Sequence, residues 1–221
     1  CLVGSEMCIR DRCGTLIVFA QLNYMRRQSL GVRTDRILVV KFPGPTEGMK
    51  IKMEAMRKAI RKLPLVSKVT CSGSVPGEEV AMFLSNRRTH DALKQNRLYE
   101  MLSCDPDYMD AYGLELVAGR GFSEDYGDDV NKLVINETAA RTLGYTDYES
   151  VIGEEISVET IEEPMQVIGV VKDYHQQALN RNYTPIMLFH KDKIDWIPQR
   201  YISIVTVSYT HLRAHETCAD L

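Results

Sequence analysis

The 221-residue sequence has little of what marks the commonest catalytic and nucleic-acid-binding chains. It holds one tryptophan, and no stretch interleaves aromatic with basic side chains as single-strand binders do. A formal net charge of -3 gives no electrostatic pull on a polyanion, so nucleic acid is not an expected partner. The phosphate-cradling patterns G-x-x-x-x-G-K-[ST] and G-x-G-x-x-G are missing. So are G-x-S-x-G and H-E-x-x-H. The six cysteines contain no C-x-x-C and are too scattered for a disulfide framework. Cys71 and Cys104, in the body of the chain, are expected as buried free thiols. No metal, no cofactor and no catalytic residue is expected.

Long hydrophobic runs are absent too. Leu16 to Ala20 (LIVFA) falls far short of the ~20 residues that span a bilayer. It runs into Tyr24, Arg26 and Arg27, an interfacial pattern, and reads equally as the tail of a transmembrane helix or as a buried element. Residues 1–12 (CLVGSEMCIRDR) resemble a peptide that recurs at the ends of unrelated metagenomic translations. Residues 206–221 (TVSYTHLRAHETCADL) resemble translated sequencing adapter. Neither has a hydrophobic period or a cap leading into its neighbour, so both are read as sequencing artefact. His211 and His215 are spaced i, i+4, but with no third ligand nearby they are not read as a metal site.

What remains is balanced for a globular domain, with 44% hydrophobic and 26% charged residues. Arg36 to Phe42 (RILVVKF) reads as a strand. Met49, Met53, Met56, Ile60 and Leu63 mark one face of a helix that Pro64 stops. Val66 to Ser72 is a second strand. Further on, Asp105-Pro106 opens a short helix closed by Gly113, and Asn136 caps another, Glu137 to Leu143, that ends at Gly144. Strands are expected at 114–117, 132–135, 155–158, 165–171, 185–189 and 201–205. The class is α+β with mixed sheets.

Three constellations invite chemistry. The acidic stretch Ser123 to Asn131 fails as a calcium loop: counted from Asp125, Val130 stands where glycine is needed and Asn136 where glutamate is needed. Asp173 and His175 follow a strong strand, and a hydrolase would need them beside a nucleophile. A hydrogen-bonded turn is the better reading. The helix at 48–63 carries six basic residues against Glu54, which reads as a solvated outer face rather than a membrane-binding one.

One segment carries a resemblance. Asp107-Tyr108-Met109, Gly119-Arg120-Gly121-Phe122 and Asn136-Glu137-Thr138-Ala139-Ala140 follow the order seen in MacB/FtsX-type permeases. Val151-Ile152-Gly153-Glu154 and Val167 to Asp173 continue it, and Gln21 to Gly31 resembles the exit of a first transmembrane helix. Met109 stands where phenylalanine is common in that family. The resemblance implies a MacB-like periplasmic core domain over 32–205, preceded at 13–31 by a transmembrane stub. It implies a porter-like β-α-β lobe with a smaller strand-rich lobe inserted at about 78–150. The implied role is transmission of ATP-driven change across the bacterial inner membrane, for export or signalling. The implied partners are a cytosolic ABC ATPase, a second permease copy and a periplasmic or outer-membrane protein. Gly119, Arg120, Asn136 and Gly153 are expected to set loop and cap geometry. A soluble ligand-binding or sensor domain is the alternative, and a hydrolase using Asp173 and His175 is the second.

Overall fold

The computed structural model describes residues 2–43, 48–80, 82–89, 96–126, 129–179, 181–193 and 199–207. His211, His215 and Cys218 lie outside them, as do Gly127 and Asp128 of the acidic stretch. The chain divides into two compact units, Cys1–Leu30 and Gly31–Leu221.

The first unit is one helix, α1 (Leu2–Arg27). Residues 2–12, for which no helical signal was expected, run in the same helix as LIVFA, with no proline to interrupt them. No helix of the described residues is long and apolar enough to cross a membrane. The transmembrane stub is therefore not seen as a spanning element.

In the second unit, β1 (Ile37–Lys41), α2 (Met49–Ile60) and β2 (Val66–Ser72) form the expected strand–helix–strand. They are followed by β3 (Phe83–Arg88), β4 (Arg97–Cys104), α3 (Tyr108–Tyr112), β5 (Leu116–Gly119) and β6 (Lys132–Asn136). Then come α4 (Glu137–Thr142), β7 (Glu155–Val158), β8 (Met165–Val171), β9 (Ile186–His190) and β10 (Tyr201–Thr206). Thr206, placed by the sequence in the foreign tail, ends β10 and pairs with Val66.

β10 lies between β1 and β2 and is antiparallel to both, so the first unit of the sequence pattern is a split β-α-β. Six strands close on themselves in the order β3-β4-β9-β6-β8-β7 and back to β3, while β5 adds to β8. This ring is a small barrel filled by side chains. Its strands come from 83 to 190, so the strand-rich part is not confined to 78–150. The expected mixed pairing is present in one hydrogen-bonded sheet, parallel at β4–β9 and β6–β8 and antiparallel at its other ladders.

Strand periodicity sorts the side chains. Tyr99, Met101, Leu133, Ile135, Met187 and Phe189 point into the barrel. Their neighbours Leu102, Cys104, Val134, Ile186 and Leu188 point outward to a second core with α3 and Tyr201. Met53, Val69, Cys71, Ile202 and Ile204 form a third core beneath α2. Cys71 and Cys104 are buried and free, and they serve different cores on opposite faces. That geometry excludes a disulfide without turning a strand over.

Candidate functional site

The split β-α-β layer and the barrel meet where β2 and β4 share the ladder pair Ser72–Cys104. Asp105 sits at this seam, fully buried. Its carboxylate accepts hydrogen bonds from the Thr70 hydroxyl, from Cys71 N–H at 2.8 Å and from Arg57 at 3.3 Å. Arg57 projects from α2, only 6% exposed, and also reaches Glu54 at 3.2 Å and Asp107 at 3.8 Å. Glu54 in turn takes Lys191, just past β9, at 3.3 Å. Four segments thus converge on one charged cluster.

Burial raises the Asp105 carboxyl to about 6 against the pull of its hydrogen bonds. Burial pulls the Arg57 guanidinium down, but Glu54 and Asp105 hold it above its ordinary value. Burial, reinforced by Asp105, pushes the Cys71 thiol up to about 12, so it is no nucleophile. Asp105 was expected to cap the following helix. Instead Asp107 occupies the cap position of α3, without a side-chain cap bond, and Asp105 is a tertiary anchor.

Arg57 was missed as well. It lies four residues after Met53 and three before Ile60, inside the buried stripe, whereas Met56 and Leu63 are exposed. The i, i+4 spacing from Met53 was the available signal. A pocket of about 360 Å³ opens beside the cluster, lined among others by Glu54, Arg57, Glu124, Asp129, His190 and Lys191. Both signs of charge face it. Among the described residues no His, Cys, Asp and Glu group is placed to hold a metal ion.

The Gly119-Arg120-Gly121-Phe122 stretch forms a corner where β5 leaves β8. Gly119 has φ 68°, and a Cβ there would lie 2.2 Å from the Ile168 carbonyl oxygen. The close approach lets Arg120 N–H bond that oxygen at 2.9 Å. The Arg120 guanidinium then grips Asp129 with two bonds, 2.7 and 2.8 Å, and stacks on Tyr126. The acidic stretch is therefore organised by an arginine, with Ser123 N–H as a further donor to Asp129. Gly153 donates to Val167 O at the neighbouring step of β8.

Asn136 caps α4 by accepting from Ala139 N–H at 2.9 Å. The same side chain accepts from Ile186 N–H and donates to Thr184 O, joining β6 to β9. Asp173 binds the Thr138 N–H and hydroxyl, each at 2.8 Å, and Arg141. Glu137 accepts from Asp173 N–H in return. This reciprocal arrangement works like a capping box supplied from another strand. His175 instead lies against the Tyr183 ring, centroids 4.5 Å apart. Asp173 and His175 therefore serve different neighbours, and the pair that a hydrolase needs is not formed.

The motif residues are accounted for as corner, anchor and cap. The model of the MacB-like periplasmic core domain matches residues 14–216. The chain belongs to that family. Among solved structures, this MacB-like chain is similar to the extracellular domain of the noncanonical ABC-type transporter YknZ from Gram-positive bacteria. The TM-score is 0.54 at 18% identity, covering 80% of this chain and 86% of that one. It is similar to the periplasmic region of MacB from Actinobacillus actinomycetemcomitans, with TM-score 0.54, 16% identity and coverage of 86% and 84%. A domain of a putative permease from Porphyromonas gingivalis gives 0.52, 20%, 84% and 82%. Comparison with curated proteins finds no match. The MacB-like assignment places the domain with the periplasmic core regions of inner-membrane ABC-transporter permeases.

Proposed function

We propose that this domain transmits ATP-driven conformational change in a permease subunit, outside the inner membrane, for export or signalling. The observation that carries the reading is the meeting of the domain's two chain passages. β1 and β10 pair antiparallel, with Ile37 at the start of β1 opposite Val205 near the end of β10. A domain entered and left at one place is suited to insertion between two membrane helices, whose relative movement would reach β1 and β10 directly. The closed barrel and the buried Arg57–Asp105 cluster support rigid transfer, because packed cores pass displacement on with little deformation.

On this reading residues 13–31 are the end of a first transmembrane helix and 32–205 the periplasmic domain, with 1–12 and 206–221 foreign. The boundary between the two compact units at Leu30 and the exposed Leu16, Ile17, Val18 and Phe19 support the first part. The moving partners are a cytosolic ABC ATPase and a second permease copy, with a periplasmic or outer-membrane protein beyond.

The test is to read the gene past both ends, express the complete protein in membranes and purify it with its neighbours. Further membrane-length helices and co-purification of an ABC ATPase are expected. A natural start near Cys1 with a stop after Leu221 would overturn the permease reading in favour of a soluble sensor.

A further inference from the structure

Two charged residues just past β9 tie the barrel to α2: Lys191 meets Glu54 at 3.3 Å, and Asp192 meets Lys50 at 3.0 Å. The turn that presents them is built on His190, the last residue of β9. Lys193 N–H bonds the His190 carbonyl at 3.0 Å, and Asp192 N–H donates to the imidazole Nδ1 at 3.3 Å. Nδ1 is therefore an acceptor, so the ring is neutral and carries its hydrogen on Nε2. The side chain is only 13% exposed and packs edge-to-face with Phe122, ring centroids 6.1 Å apart.

Protonation reverses the ring's role. A proton added at Nδ1 turns the acceptor into a donor, and the Asp192 N–H loses its partner. The Asp192 carboxylate stands 3.7 Å from Nδ1 and can take the new N–H, but the same carboxylate holds Lys50. The ring also has room to move, because the pocket of about 360 Å³ at the seam is lined by His190 together with Glu124 and Asp129. Asp129 is already gripped by Arg120, whereas the Glu124 side chain is 66% exposed and reaches Arg57 at 3.7 Å. Burial holds the imidazole below its ordinary 6.5, and Lys191 adds to this, against the pull of Asp192, Asp129 and Glu124. The fold thus favours the neutral ring: this share of stability is full above 6.5 and is lost as pH falls through the folded value.

We infer that His190 is a pH-dependent latch between the barrel and α2. Neutral, it shapes the turn at 190–193 so that Asp192 engages Lys50. Protonated, it takes the Asp192 carboxylate from Lys50 and opens that link, leaving Lys191 and Glu54 as the remaining tie. The inference goes beyond the permease reading and does not depend on how the domain moves.

The test follows the full chain by NMR from pH 8 to pH 5, reading the imidazole nitrogens, the Asp192 amide and the Lys50 methylene beside its ammonium. At pH 8 the His190 Nδ1 is expected to be the nitrogen without hydrogen. Its protonation midpoint should lie below 6.5, and the Asp192 and Lys50 signals should move with that same midpoint. His190→Gln should abolish the common movement. Asp192→Asn, an exposed change that serves if His190→Gln does not fold, should make His190 about threefold harder to protonate, because the carboxylate that draws the proton is gone. Hydrogen on Nδ1 at pH 8, an Asp192 amide that does not track the ring, or an unchanged midpoint in Asp192→Asn overturns the inference. So does an Asp192 response that persists in His190→Gln, because its source is then another group of the seam, such as Asp105 titrating at about 6.

Discussion

Replacing Arg57 by methionine keeps most of the aliphatic bulk beneath α2 and removes the charge that faces Asp105. Glu54 retains Lys191 at 3.3 Å, so the change falls mainly on the buried carboxylate. Removing one partner of a buried ion pair costs about 3–5 kcal/mol. Asp105 keeps the Thr70 and Cys71 bonds, which places the expected loss near the lower end, about 3 kcal/mol. At roughly 2–4 °C per kcal/mol for a domain of this size, the midpoint falls by about 6–12 °C. The sign with pH follows from linkage. Asp105 titrates near 6 in the folded chain, above the ordinary 3.8, so its stabilising share is full below about 4 and is lost as pH rises through 6. Without Arg57 the carboxyl shifts further up, and a proton replaces the missing guanidinium at low pH. Urea unfolding followed by circular dichroism should show a deficit that is largest at pH 8 and smaller at pH 5. Adding Asp105→Asn to Arg57→Met should recover more than half of the deficit at pH 8. A deficit under about 1 kcal/mol at pH 8, or an equal one at both pH values, refutes the account of the seam.

Four further outcomes are expected. Gly119→Ala should cost about 2–4 kcal/mol in the same unfolding assay, because its Cβ meets the Ile168 carbonyl at 2.2 Å. Gly144→Ala, at φ 96° with open space around it, should cost only about 1 kcal/mol. Asn136→Ala should lose about 2–4 kcal/mol, a cap plus the stranded Ile186 N–H, well above an ordinary cap deletion. Cys71 and Cys104 should resist thiol reagents and oxidation in the folded chain and react only on unfolding, as mapped by mass spectrometry, while exposed Cys13 reacts at once.

The sequence by itself determined the local pieces, because each is written in neighbouring residues. The α2 helix and its flanking strands follow from periodicity and Pro64. The α4 cap is legible in Asn136, and the left-handed ends of α3 and α4 in Gly113 and Gly144. The ordered motifs were enough to suggest the family. β3 and β4 were not legible, since Asn86, Glu100 and Ser103 are polar yet buried and break the apolar pattern. Asn86 reads as a surface residue until the barrel closes and gives its amide the sulfurs of Met101 and Met187.

Only the tertiary structure decided where Asp105 and Arg57 point. Forty-eight positions separate them, and nothing local distinguishes a capping aspartate from one that ties β2 to the barrel. It also decided that β10 enters between β1 and β2, leaving β1 with an open edge. That choice rests on pairing of β1 with residues 160 to 168 positions further along the chain, which closes only when the whole core forms.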